Sequence, residues 1–351
     1  MPAVSIDTFF ACALMVLLVL SAMTATAKIL QPLINTQAKI ETSQRFGEVA
    51  KRILLYTGKP ANWGLDGQIV PEEFGLAEAG ASSPYALDID KVSRLNSENL
   101  YCLSYSQIFT SLKSPDISFR IEIKPIFNVK LNLTAVIQDS DKMIYTFEAA
   151  TEKDDGLAVF TNLKVFVLAE SLLQTYTFQN ACGRASFNVT VPISLESPAL
   201  LVVFAKSTYN NRVVSYGVYS IAGRGEPPSK GTFLKLSPIN NTLTVTPTSS
   251  EAILTSAYAI TFNDAWRLTQ TGSNTFSIPE SIDESPTVLI VFGLNATQNF
   301  VEWTAYPQIP VQVGVDFVSL LSTTNVYAFE HLVSIGYGIY KCIIFIGGPK
   351  T

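Results

Sequence analysis

Residues 8–27, TFFACALMVLLVLSAMTATA, contain no charged side chain. A run of about 20 apolar residues can cross a bilayer as one helix, because a helix satisfies its own backbone hydrogen bonds where water cannot. The competing reading is a secretory signal, and Ala25-Thr26-Ala27 has the small-x-small form of a cleavage site. Two features oppose cleavage. The stretch in front holds Asp7 and no Lys or Arg, and the apolar run exceeds the roughly 7–15 residues of an ordinary signal core. We therefore expect a retained single-pass anchor, with membrane lipid as its first partner.

Orientation sets two signals against each other. Lys28, Lys39, Arg45, Lys51 and Arg52 all follow the span, and the positive-inside rule alone would place the rest of the chain in the cytoplasm. That rule weakens for long translocated domains. The remaining chain is low in charge and rich in Thr, Ser and Asn, as surface proteins often are. It also carries four N-x-T sequons, at Asn132, Asn188, Asn240 and Asn295, which are candidate glycosylation sites in an exported protein. The expected location is the cell membrane with an extracellular body.

The helix is expected to continue past the membrane. Leu33, Ile40, Phe46, Val49, Ile53 and Leu54 recur at helical spacing among polar residues. Pro32 predicts a kink, and Gly58 with Pro60 predicts the stop. A long helix, apolar first and amphipathic later, resembles the assembly helix of type IV pilins. In that family an acidic residue sits near the fifth position of the mature chain, and Ala3-Val4-Ser5-Ile6-Asp7 would put Asp7 there if the mature chain began at Ala3. The resemblance departs from the family pattern at this end, because Met1-Pro2 does not read as the basic leader expected before Ala3. By this resemblance the assembly residues are Asp7, Phe9, Phe10, Leu14, Leu17, Leu18 and Pro32. Further on, the G-x-P-x-N-W turn (Gly58 to Trp63), Phe74-Gly75-Leu76-Ala77 and L-D-x-D-K-V-x-R-L (Leu87 to Leu95) resemble archaeal pilin-like, single-span surface proteins. Val333-Ser334-Ile335 and Tyr340-Lys341 extend the likeness weakly. The resemblance implies no catalytic residue.

Beyond the connector the period changes from helical to two. Phe119, Ile121 and Ile123 alternate with Arg120 and Glu122, as in a half-buried strand. Further strands are expected at 130–136, 143–149, 157–160 and 165–168, with Asp154-Asp155-Gly156 as a hairpin turn. An internal repeat supports a modular body. Residues 196–204 (ESPALLVVF) match 284–292 (ESPTVLIVF), 88 positions later (196 to 284). Each is a turn feeding a continuous apolar run, as for a strand buried on both faces. The spacing suits modules of about 90 residues, near immunoglobulin-like size. The expected fold is mainly β with an N-terminal transmembrane α-helix and tandem immunoglobulin-like β-sandwiches. Its parts are the helix at 1–57, a connector with short helices at 58–115, one sandwich at 116–225 and a second at 226–351. Residues 222–229 would form the linker, and the C-terminal strands would close the second sandwich.

Composition removes several functions. At 48% hydrophobic and 15% charged the chain can bury a core. A net charge of −5 offers no basic face for phosphates, so no nucleic-acid partner is expected. The single histidine, His331, is read as structural. No nucleophile elbow, zinc-protease, Walker or dinucleotide motif occurs, so neither an enzyme nor a cofactor is expected, and no metal site. Asp88-Ile89-Asp90 and Asp139-Ser140-Asp141 space carboxylates two apart, but surface turns explain them without calcium. Cys102, Cys182 and Cys342 supply thiols for one candidate disulfide of open connectivity. Trp63, Trp266 and Trp303 are expected in the core or at an interface, with a carbohydrate-binding face as the sharper reading. The leading expectation is a pilin-like filament subunit or minor subunit that associates with itself or with similar subunits. The alternative is a monomeric anchored adhesion or binding module for a cell-envelope or surface ligand.

Overall fold

The computed structural model describes residues 6–170, 172–195, 197–222, 230–282, 284–317 and 326–348. It divides into two compact units, Met1–Lys51 and Arg52–Thr351. The first unit is most of α1 (Ile6–Leu55), which runs through Pro32 without a break. The stop falls close to where it was expected: α1 ends three residues before Gly58, which takes φ +81°.

The second unit opens with β1 (Ala86–Leu87), α2 (Ile89–Ser93) and α3 (Tyr105–Leu112). Both short helices are where capping chemistry puts them. The Asp88 carboxylate accepts from the backbone N–H groups of Asp90 and Lys91. Ser104 and Gln107 form a reciprocal capping box. Next come β2 (Ser118–Pro125) and seven strands that form two facing sheets: β3 (Asn128–Asp139), β4 (Lys142–Glu152), β5 (Phe160–Ala169), β6 (Leu172–Cys182), β7 (Arg184–Pro192), β8 (Ala199–Ser207) and β9 (Val214–Ile221). The sheet orders are β3-β4-β7 and β6-β5-β8-β9, and Phe147, Val165, Phe187, Val189, Leu201 and Val203 fill the space between them.

A second pair of sheets follows: β10 (Leu234–Ile239), β11 (Thr242–Pro247), β12 (Ala252–Ile260), β13 (Ala265–Arg267), β14 (Thr269–Gly272), β15 (Thr275–Ser277), β16 (Thr287–Asn295) and β17 (Gln298–Tyr306). Here the orders are β10-β11-β15-β14 and β13-β12-β16-β17. The repeated apolar runs are β8 and β16, each hydrogen-bonded to strands on both sides. Both have seven consecutive buried residues. The reason is a layer between the two pairs. Leu200, Val202 and Phe204 of β8 share a cluster with Val288, Ile290 and Phe292 of β16, while the alternate residues of each strand fill the cores within the pairs. The expectation of strands covered on both faces is met.

The last strands, β18 (Val311–Gly314), β19 (Val326–Ile335) and β20 (Gly338–Gly347), correct the expected boundaries. They do not close the second sheet pair. They form a five-stranded sheet of order β1-β19-β20-β2-β18, joining β1 from the connector and β2 from the expected first module. The physical basis is matched burial. Phe119, Ile121 and Ile123 of β2 lie opposite Ile346, Ile344 and Cys342 of β20, and all are buried. Two smaller expectations are refined as well. The strand expected at 165–168 is β5, which starts at Phe160, the last residue of the segment expected at 157–160; within 157–159 Ala158 forms an isolated bridge to Glu152. The 154–156 turn is hairpin-type as expected, closed by that antiparallel bridge between Glu152 and Ala158, but the chain beyond it leaves for the other sheet, where β5 lies. The expected linker falls outside the described residues except for Ala222.

Candidate functional site

The apolar segment comes first because its chemistry is the plainest. Thr8–Gln31 is a 24-residue stretch of helix with mean hydropathy 2.2 and no buried residue. At 1.5 Å per residue it spans about 36 Å, more than the ~30 Å of bilayer hydrocarbon. It is therefore long and apolar enough to cross a membrane, a test that a signal sequence near the N-terminus also passes. Phe9, Phe10, Leu14, Leu17 and Leu18 are between 60% and 72% exposed. Three hydroxyls within the span are satisfied by the helix's own carbonyls. Ser21 donates to the Leu18 carbonyl, Thr24 to Leu20 and Ser21, and Thr26 to Ala22, so these hydroxyls carry little desolvation cost in hydrocarbon. Asp7 and Pro32 both lie within α1, Asp7 next to its first residue.

The connector motifs converge on a buried polar knot. Trp63 is fully buried and donates through Nε1 to the Gly75 carbonyl at 3.1 Å. Phe74 lies beside it at 5.9 Å between ring centroids. Gly75 approaches the Tyr56 carbonyl so closely that a Cβ would sit 2.1 Å from its oxygen, which explains the glycine. Arg94, 1% exposed, donates to the carbonyl oxygens of Trp63, Asp66, Gly67, Ile69 and Tyr101 at 2.5–3.0 Å. Its guanidinium also lies 5.4 Å from the Trp63 ring centroid. Lys91, fully buried, donates to the carbonyls of Thr57 and Ala77 at 2.9 and 2.8 Å. Burial holds both cations below their ordinary ionisation range, with the nearby carboxylates pulling the other way.

Asp90 corrects the reading of its segment as a surface turn, since it is 3% exposed. It accepts from the Tyr306 hydroxyl at 2.7 Å and from the Asn240 backbone N–H at 2.9 Å, tying α2 to the second sheet pair. Burial raises its carboxyl from 3.8 to about 6. The Tyr306 and Asn240 hydrogen bonds and Arg94 oppose the rise, and Asp88 adds to it. A carboxyl with a raised folded-state value binds its proton more tightly folded than unfolded, so stability falls as pH rises through that window. At about 1.4 kcal/mol per pH unit the window is worth about 3 kcal/mol. The expected result is a loss of unfolding free energy from about pH 4 to about pH 6.5, and Asp90→Asn should flatten that part of the profile. Matched denaturation curves of the two proteins check it; parallel profiles would refute it.

A cleft of about 350 Å³ is lined by Tyr216, Trp303, Pro286, Pro307, Ile309 and Tyr340. Two hollows of about 220 and 310 Å³ also touch Trp303. Tyr216 meets the Trp303 ring edge-on at 6.2 Å. Lys230 lies 4.5 Å from the Trp303 centroid and 2.8 Å from the Glu98 carboxylate. Nearby Glu302, only 2% exposed, accepts from the backbone N–H groups of Gly231 and Phe233, which anchors the start of β10. Of the three tryptophans, then, Trp63 lies in the core, Trp266 is half-buried on β13 and Trp303 borders a cleft.

The remaining candidates scatter. Cys12, Cys102 and Cys182 are exposed, Cys342 is buried, and none is paired. The candidate disulfide is therefore corrected. Cys102 follows α2, Cys182 ends β6 and Cys342 sits inside β20, where burial pushes its thiol up to about 12. His331 stacks on Tyr85 at 5.0 Å. Asn132, Asn188 and Asn240 are exposed, whereas Asn295 is half-buried. Among the described residues no group of His, Cys, Asp and Glu could hold a metal ion.

No family model matches this chain, and no curated protein matches it. Among solved structures, that of S. aureus TarS is similar at 11% identity and a TM-score of 0.17. The match covers 63% of this chain and 35% of that one. A likeness at that level carries no argument about fold or activity.

Proposed function

We propose that this chain is a non-enzymatic, membrane-anchored surface protein whose apolar helix serves assembly or anchoring while the β-rich body faces outward. The observation that carries the reading is α1: 50 residues of helix, with an exposed 24-residue apolar stretch followed by a polar half. On this reading Phe9, Phe10, Leu14, Leu17 and Leu18 are packing residues, either against copies of the same helix in a pilin-like filament or against lipid. Each sheet pair is read as immunoglobulin-like. In the first pair, the first, second and fifth strands form one layer and the other four form the second, the crossing expected of a Greek key. The connector knot supports a structural role, because its two buried cations are engaged by backbone carbonyls rather than aimed at a cavity.

A monomeric anchored binding module is the second reading, and the cleft beside Trp303 favours it. Mass spectrometry of filaments sheared from native cells separates the two. Recovery of the chain in the filament fraction with its apolar helix retained is the expected result. Recovery only in the membrane fraction would favour the anchored module. A mature chain beginning at Lys28 would overturn the anchor.

A further inference from the structure

We infer that the body carries N-linked oligosaccharides at Asn132, Asn188 and Asn240 and none at Asn295. The inference rests on the reading of an external body. Four sequons share the N-x-T pattern, and the structure separates them by the exposure and direction of the side chain. On β4, Phe147 and Ala149 are buried in the core, so Thr146 and Glu148 belong to the outer face. Asn132 lies opposite Glu148, and Asn188 lies opposite Thr146. Directly opposed residues share a face, so both asparagines project from the outer face of the β3-β4-β7 sheet, and both are exposed. Two strand spacings of about 4.8 Å separate β3 from β7, leaving room for two sugars rooted side by side. Asn240 is exposed at the tip of the β10–β11 hairpin, where it and Asn241 have φ +46° and +51°.

Asn295 differs. It has the parity of Leu289 and Val291 on β16, which are buried in the core of the second pair. Its side-chain oxygen is itself buried without a hydrogen-bond partner. A sugar on that carboxamide would have to leave through the rim of the core.

The chemistry requires a donor oligosaccharide carried on a lipid phosphate or pyrophosphate, supplied by a membrane transferase. The bond between the asparagine Nδ2 and the sugar C1 forms, and the bond from C1 to the phosphate oxygen breaks. The lipid phosphate leaves with the electron pair, and a carboxamide proton passes to a base on the transferase. The physical consequence fits the sheet. β3 and β7 are both edges of a three-stranded sheet, and bulky polar groups on its outer face would hinder pairing of those edges with other chains.

The test is peptide mass spectrometry of the full chain purified from native membranes, with protease treatment of intact cells in parallel. The expected result is a glycan mass on the peptides of Asn132, Asn188 and Asn240, an unmodified Asn295, and a body cut by external protease. Asn132→Gln, Asn188→Gln and Asn240→Gln should each remove one step of intact mass. Bare asparagines on a body that external protease cuts would overturn this inference and leave the surface reading standing. Bare asparagines on a protected body would overturn both. Modification at Asn295 with the exposed sites bare would overturn the structural selection.

Discussion

Arg94→Ala should unfold the connector. The guanidinium supplies donors to the carbonyls of Trp63, Asp66, Gly67, Ile69 and Tyr101, and its residue is 1% exposed. A buried carbonyl stripped of its donor costs about 1–3 kcal/mol. Only the Trp63 bond is wholly buried and the other four are part-buried, so about 1 kcal/mol for each of the five sets an upper figure of about 5 kcal/mol, still comparable to the net stability of a whole domain. Arg94→Lys should recover part of that loss, because an ammonium has three donors and lacks the planar fork. Hydrogen exchange in detergent reads the effect directly, as lost protection between residues 58 and 115. Protection equal to that of the unaltered chain would mean that water replaces the guanidinium and that the knot is not what orders this region.

Replacing Leu17 and Leu18 together by arginine should release the protein from membranes. Both lie near the middle of the Thr8–Gln31 stretch. Each arginine at the centre of a spanning helix costs about 2.5–3.5 kcal/mol on insertion scales, so the pair costs about 5–7 kcal/mol. Replacement of the same two residues by isoleucine should leave membrane retention unchanged. Fractionation of native membranes with alkaline extraction checks both variants. If the arginine variant stays in the extracted membranes, the segment is not what anchors the chain.

The two predictions concern features of unequal legibility. The apolar stretch is readable residue by residue, because the requirement it meets, about 20 uncharged positions in sequence, is local. The caps of α2 and α3 are local too. Asp88 and Ser104 sit directly before the backbone N–H groups they satisfy. The connector motif was visible as a pattern, but its purpose was not. Arg94 reaches carbonyls 7 to 31 positions away, and Asp90 reaches Tyr306 across 216 positions. Nothing in the spacing of charges within L-D-x-D-K-V-x-R-L distinguishes a buried aspartate from a solvated one.

Sequence alone determined the apolar helix, the β-rich body and the two strands covered on both faces, because apolar periodicity records how many faces of an element are dry. Only the tertiary structure decided which strands pair. β2 and β20 each carry an ordinary alternating pattern that would suit many neighbours, and their antiparallel match, Ser118 opposite Gly347 through Pro125 opposite Tyr340, joins segments more than 200 residues apart. The same holds for the sequons, where one N-x-T pattern faces outward at Asn132 and inward at Asn295. Period-two alternation specifies that neighbouring side chains point to opposite faces, while the packing of one sheet on another specifies which face is solvent.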